Sequence, residues 1–514
     1  MASHFVHWLC AVLAAVSLCC CCCAVPSFAS CKNETRQDES PGFVFRMTKA
    51  ATNFLNEEII EVIQVVLKNT TFPSVQDNSP IPFIGTVYYS LTDLRITNTA
   101  VAQSEIVLLE GYGLSFYGKD IEIVVQGKVS YEYRSWLTSY VSNRTILFTV
   151  YTKTSLNITS RISSPNGTFL IEPPSCHLHI DDLQLRLAKN ENLGIQFLGD
   201  MLTIPIRQLL RIQVCNELRN VGKELSFRLQ AQTDKLTLDD RNELDVSLLS
   251  CPLITKDYME TRHKGWMIHR GEVLGRNGSS LWPPLDSVPT ERMMGMRIAE
   301  SVLESLAHAF FQENLLKNFT WDDVEEVFGS TSDTTGFLEF CKKVLVRTGG
   351  KDSLEQTLLT VSSPRPPKLS CEPAGIHLSS TIKVDVTQDG GPVLFSIQLF
   401  IKTISFAHAI TDGRRINGTV DTFRVKSIDT SILTPEELAT FPKLLRNYVK
   451  TVAQEVVLER FEREVFDSIN HNGMDGILLV DPVFNTQHGY LQLETNISIE
   501  DHFFARIIKQ KIYG

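Results

Sequence analysis

The segment CHLHIDD, Cys176 to Asp182, holds a dense set of side chains able to bind a metal or move a proton. On a strand, His177, His179 and Asp181 would point to one side, as zinc or copper ligands do. The competing reading is a polar outer face, with Leu178 and Ile180 turned inward. No partner motif accompanies the three, so the polar face is preferred and no metal is expected. Motifs for catalysis are absent: there is no Gly-x-Ser-x-Gly, no His-Glu-x-x-His and no phosphate loop. Scattered Ser, Asp and His residues make no triad that sequence can recognise. The chain is read as a non-enzyme that needs no cofactor.

At 514 residues the chain is long for one core, and two domains are expected. Hydrophobic residues make up 43% and charged residues 21%, as in a folded soluble protein. The net charge is −10 and neither half is basic, which argues against nucleic acid as a partner. Residues 1–29 read as a secretory signal peptide. They carry no charged side chain, are apolar from Trp8 to Ala24 except for Ser17, and end in Ser27-Phe28-Ala29. A membrane anchor is the alternative, for which the run is short. Cys10 and Cys19 to Cys23 fall inside that run and act there as small hydrophobes. Cys31, Cys176, Cys215, Cys251, Cys341 and Cys371 remain, an even set that allows disulfides in an exported chain. Asn-x-Ser/Thr sequons at Asn33, Asn69, Asn143, Asn157, Asn166, Asn277, Asn318, Asn417 and Asn496 fit a secreted, extracellular glycoprotein.

Helical spacing runs from about Phe43 to Leu67, and one part of it, EEIIEVIQVVLKN, is unusually apolar. Glu57, Glu61, Gln64 and Lys68 span an arc of only about 60°, while the apolar residues cover about 220°. A surface helix needs an apolar stripe little wider than about 100°. Strand patterns follow from Phe83 to about Glu172, then a second long helix from Leu193 containing Pro205. Short strands and a Gly/Pro/Ser-rich connection lead to a boundary near 275–290. The order then repeats: a helix from Met293 to Leu315, a turn-rich region, strands, a long helix from Pro435 to Phe466, and final strands. Short turns imply antiparallel pairing. The class is α+β with two similar halves: 40–245, a connecting section 246–290, and 291–514.

Particular residues give this order a likeness. PGFVFRMTKAATNFL, IPFIGTVYYSLTDLRIT, GYGLSF with IEIVVQGK, and TVSSPRPPKLSCEPAGI resemble segments of the family of bactericidal/permeability-increasing protein, lipopolysaccharide-binding protein and the plasma lipid-transfer proteins. The likeness spans about residues 40–514. It implies an elongated boomerang of two barrels, each with long helices on a strongly curved antiparallel sheet, joined by a central sheet. It implies that Cys176 and Cys215 form the family's shared disulfide. Cys341 and Cys371 are open between a second disulfide and two buried thiols. Cys31 and Cys251 have no assigned role.

The likeness also implies an apolar lipid pocket between helix and sheet in each half. Its lining would include Phe54, Ile59, Val62, Ile63 and Val66, with Leu198, Leu202, Leu209 and Leu210. In the second half it would include Val302, Leu306, Phe310, Leu445, Val449 and Val452. Without the likeness, the same helices could simply pack on protein. The antibacterial members carry a cationic tip that meets lipopolysaccharide phosphates. The matching segment here has Lys128, Arg134 and Arg144, but also Glu132 and the aromatics Tyr131, Tyr133, Trp136 and Tyr140. That composition makes a weak anion site and suits a membrane interface. The expected function is binding and transfer of phospholipid or another amphipathic lipid. The alternatives are an innate-immune lipopolysaccharide binder and a secreted lipid hydrolase. Oligomeric state is not legible.

Overall fold

The computed structural model describes residues 40–81, 85–135, 141–173, 175–188, 193–230, 235–237, 241–274, 292–312, 318–320, 332–350, 357–388, 390–409, 416–429 and 477–499, with isolated positions between 434 and 443 and between 506 and 509. It is an α+β fold built on antiparallel sheets. Among the described residues no helix is long and apolar enough to cross a membrane.

The N-terminal sheet runs in the order Val75–Ile81, Gly85–Leu109, Gly113–Ser135, Val141–Ser163, with Leu170–Ile171 and Ser175–Leu187 both on the last strand's far edge. Three of these strands have 25, 23 and 23 residues. Strands of that length must bend to enclose a core rather than lie flat. Bulges supply the bend. The ladder slips around Asp93 and again around Asp120, and both residues adopt left-handed backbone, with φ of 54° and 52°. Asp tolerates that conformation, and an inserted residue increases local twist. Asp481, φ 47°, does the same in the final hairpin. Among the described residues no ladder joins the sheet's end strands.

Helix α1, Lys49–Asn69, lies against the strand Gly85–Leu109 and touches α2, Leu193–Gln230. α2 lies against Ser175–Leu187. The halves meet in a central sheet, where Phe43–Thr48 pairs antiparallel with Met294–Ala299, from Phe43 opposite Ile298 to Met47 opposite Met294. Each strand leads directly into a helix, α1 in the first half and α3, Glu300–Gln312, in the second. A Cβ at Gly42 would stand 2.3 Å from the Lys264 carbonyl oxygen, so this crossing of backbones requires glycine there. The C-terminal sheet contains Asn318–Thr320, Thr357–Ser362, Lys368–Glu372, Gly375–Gln388, Val393–Ala409 and Ile416–Asp429.

The structure corrects several expectations. Phe43–Thr48 and Met294–Ala299 are strands, not first helical turns, because both are paired along both edges in the central sheet. Residues 332–347, expected to be turn-rich, form helix α4, Ser332–Arg347. Cys371 is a buried free thiol, which removes the Cys341–Cys371 disulfide. Cys251 is disulfide-bonded. Most of the expected helix 435–466, including Leu445, Val449 and Val452, lies outside the described residues.

Candidate functional site

The N-terminal sheet buries alternate residues, as a half-covered strand must. Ile121, Ile123 and Val125 are buried on one strand, Phe148, Val150, Thr152 and Thr154 on the next, and Leu178 and Ile180 beyond. α1 meets this face with Leu55, Ile59, Val62, Ile63 and Val66, none of which has accessible surface. α2 adds Leu202, Ile206, Leu210, Val214 and Leu218 to the same cluster. The disulfide Cys176–Cys215, Cα to Cα 5.6 Å, fastens α2 to the sheet. The Arg207 guanidinium donates to the Ile180 carbonyl at 2.9 Å, a second fastening at the same edge.

Of the lining expected in the first half, Ile59, Val62, Ile63, Val66, Leu202 and Leu210 are packed inside this cluster. Phe54 and Leu209 are half-buried against it. Leu198 lies on α2. A side chain without accessible surface has protein on every side. Surface remains on Phe54 and Val65 of α1, on Met201 and Leu209 of α2, and on Leu183 and Leu185 of the facing strand. Unbroken alternation from Leu178 and Ile180 misses the last two, because the ladder slips at Asp181 and shifts the phase by one residue. In the second half, Val302 and Leu306 join Leu244 and Met267 in a separate cluster that also receives Phe43. Phe310 lies on α3.

His177, His179 and Asp181 lie exposed while Leu178 and Ile180 are buried, which is the polar-face arrangement. Asp181 accepts a hydrogen bond from the Ser155 hydroxyl at 2.7 Å.

Two of the cations of the expected contact hairpin are already matched. Lys128 Nζ stands 2.7 Å from Asp93 Oδ2. Arg134 Nε donates to Glu132 Oε1 at 2.7 Å, and its guanidinium covers the Tyr88 ring at 4.7 Å. That bond holds the half-buried Glu132 carboxyl below its ordinary range. Arg144 sits opposite Tyr131, and Trp136 lies outside the described residues. Among the sequons, Asn69 is exposed at the end of α1. Asn157 Oδ1 accepts from the Ser115 and Thr159 hydroxyls, and Asn496 Oδ1 accepts from Met293 N. Asn318 and Asn417 lie in strands and Asn166 in a short 3₁₀ turn, at Asn318–Thr320, Ile416–Asp429 and Pro165–Gly167. Asn143 is on the strand Val141–Ser163, while Asn33 and Asn277 are outside the described residues.

A two-part fold of long helices on curved antiparallel sheets, meeting at a shared sheet, defines a class that sequence comparison identifies. The LBP / BPI / CETP family profile for the N-terminal domain matches residues 52–231, and the one for the C-terminal domain matches 236–499. The chain belongs to this family. It is 24% identical over 494 residues to the cholesteryl ester transfer protein of Cricetulus griseus, covering 94% of this chain and 97% of that one. It is 23% identical to the Homo sapiens cholesteryl ester transfer protein, over 91% and 94% of the two chains. The Homo sapiens lipopolysaccharide-binding protein is 24% identical over 67% of this chain and 70% of its own length. The crystal structure of lipopolysaccharide binding protein shares the fold, with a TM-score of 0.53 and 18% identity over 90% of this chain and 99% of that one.

Proposed function

We propose that this chain is a secreted glycoprotein that binds and transfers lipid without chemistry. Its units would be an N-terminal domain at 40–245, a connection at 246–290 and a C-terminal domain at 291–514. The observation that carries the reading is the partly buried apolar set between α1, α2 and the strand Ser175–Leu187: Phe54, Val65, Met201, Leu209, Leu183 and Leu185. These side chains pack against the buried cluster yet keep accessible surface, and a hydrocarbon tail would lie on that surface. Each methylene buried there contributes about 0.8 kcal/mol, so one acyl chain outweighs its ordering cost. The relatives named for cholesteryl ester transfer support the same class of cargo. Phospholipid or another amphipathic or neutral lipid is the ligand proposed. Lipopolysaccharide recognition is disfavoured, because Lys128 and Arg134 are each held by a neighbouring carboxylate.

Native mass spectrometry of the gently purified protein tests the proposal. Lipid should leave with the folded chain and be identified after extraction. A protein free of lipid, and unable to take any from vesicles, would end the reading. Release of free fatty acid on incubation with phospholipid would instead make it a hydrolase.

A further inference from the structure

The inner face of the N-terminal sheet is apolar except for a few hydroxyls. Among the described residues it carries no buried charge; the buried charged side chains Arg46, Glu260, Arg297 and Glu494 all belong to the central sheet. Thr152 and Thr154 are buried on this face, and each donates its hydroxyl proton to the neighbouring strand, to Ile123 O at 3.1 Å and Ile121 O at 3.2 Å. Their donors are used. Thr99 differs. It is 7% exposed, and its hydroxyl has no hydrogen-bond partner among the described residues. Register places it in the same transverse row as Thr152, in the order Thr99, Ile123, Thr152, Leu183. Ile123 shows the direction, since it is paired with Thr99 and is itself buried.

A hydroxyl left without a partner in an apolar interior is costly, and such groups are normally matched. The neighbouring carbonyls that Thr152 and Thr154 use show that this sheet can absorb a threonine proton internally. At Thr99 the ladder slips between Ile96 and Asn98, so the residue stands beside a local irregularity. Its hydroxyl is left on the buried face with an acceptor still required.

We propose that Thr99 is a ligand-positioning residue whose hydroxyl donates to the carbonyl oxygen of an acyl ester in a bound lipid. This rests on the lipid-carrying reading above. The donor asks for an acceptor oxygen, and the uncharged sheet face on which it stands favours a neutral group. A carboxylic ester meets both conditions, whether it comes from a glycerophospholipid or from a neutral acylglycerol. Thr99 would then fix how far along the sheet the ester stops, with hydrocarbon on both sides of it.

The test compares esters with ethers. Full-length protein is loaded from vesicles holding an equimolar mixture of a diacyl phosphatidylcholine and its dialkyl-ether analogue. A second set of vesicles carries a triacylglycerol with its trialkyl-ether analogue. Native mass spectrometry counts what is taken up. One neutral hydrogen bond predicts a preference for the ester of roughly fivefold. The arm that shows it identifies the source. Thr99→Val should erase the preference, and Thr99→Ser should restore it. Should Thr99→Val fail to fold, Thr99→Ala carries the same comparison. An ester preference that survives loss of the hydroxyl, or none in the unaltered protein, overturns the proposal, and a buried water would then be the partner. Uptake of neither lipid of a pair would count against the carrier reading itself.

Discussion

Arg46 and Glu260 form a buried ion pair across the central sheet, Nη2 to Oε2 at 3.0 Å, with side-chain exposures of 4% and 0%. They stand opposite each other in register, on strands separated by more than two hundred residues of sequence. The Tyr258 ring lies 4.0 Å from the Arg46 guanidinium, and Arg262 Nε donates to the second Glu260 oxygen at 3.0 Å. The second half repeats the arrangement with a neutral partner: Arg297 Nε donates to Gln492 Oε1 at 2.8 Å and its guanidinium faces Tyr490. Removing one member of a buried pair strands the other charge and costs about 3–5 kcal/mol. Glu260→Ala should therefore lower the denaturant midpoint sharply. The double change Arg46→Met with Glu260→Met should cost much less, because neither member of the pair is left buried without the other. Urea unfolding of the three proteins checks this, and equal losses in single and double variants would refute the account.

His263 predicts a specific acid sensitivity. Its Nδ1 stands 2.6 Å from Val246 O, which can only accept, so Nδ1 carries the proton and Nε2 accepts from the Thr261 hydroxyl at 2.9 Å. Burial pushes its pKa down to about 4, against a smaller opposing effect of the Val246 bond. The unfolded chain takes up the proton near pH 6.5. Stability from this residue is thus complete above about pH 6.5. It falls as pH drops toward 4, by about 3 kcal/mol in all, and changes no further below that. Denaturation midpoints measured from pH 8 to 4 should show the decline, and His263→Gln should flatten it.

The described cysteines divide into two chemical states, disulfide-bonded and buried thiol. Closing a loop between positions 39 apart stabilises by about 4 kcal/mol in the chain-entropy picture, so the double change Cys176→Ser with Cys215→Ser should lose an amount of that order. Burial, with Glu300 adding to it, pushes the Cys371 thiol up to about 12. It should resist alkylation at pH 8 in the folded protein and react once denaturant is added. Cys251 should appear in a disulfide-linked peptide on non-reducing mapping. Rapid labelling of Cys371 in the native state would contradict its burial.

Much of the fold was legible because local pattern and final environment agree. Ile121, Ile123 and Val125 alternate with exposed Glu122 and Gln126 and the half-buried Val124, and the strand is where that alternation puts it. The failures at the two central strands have one cause. Met47, Ala51, Phe54 and Leu55 continue a helical spacing backward through Phe43–Thr48, yet that segment is held by pairing with Tyr258–His263 and Met294–Ala299. The same error at Met294 arises from the same architecture. No window around Phe45 contains its partners. α4 was missed because Thr334, Thr335 and Gly336 read as turn residues, although Phe337, Phe340 and Val344 keep helical spacing. At the site, burial of the α1 residues followed from amphipathicity. Which of them keep accessible surface depends on how α2 lies across the sheet, and no local pattern encodes that.

The cationic hairpin should be electrostatically quiet. Lys128 and Arg134 are exposed and each is paired, with Asp93 and Glu132. A surface charge already neutralised by its neighbour contributes little to attraction for an anionic surface. Lys128→Glu and Arg134→Glu should change binding to phosphatidylglycerol vesicles by less than about twofold, with a shallow salt dependence. Affinity for lipopolysaccharide that collapses on either change would restore the recognition function set aside above.

The apolar interior divides into two sets that should respond to mutation in opposite ways. Val62 and Ile63 have no accessible surface and belong to the packed cluster. Truncating such residues removes transfer energy and leaves a cavity, at about 2–4 kcal/mol for Ile63→Ala. Lipid uptake per folded molecule should be unchanged. Leu209 is half-buried at the cluster's margin, on the helix that the disulfide fastens to the sheet. Leu209→Trp adds volume where surface remains, so stability should move by less than about 1 kcal/mol while the tail is displaced. Native mass spectrometry should then find a clear fall in bound lipid. If Ile63→Ala lost lipid and Leu209→Trp did not, the ligand would lie deeper, among side chains that part to admit it.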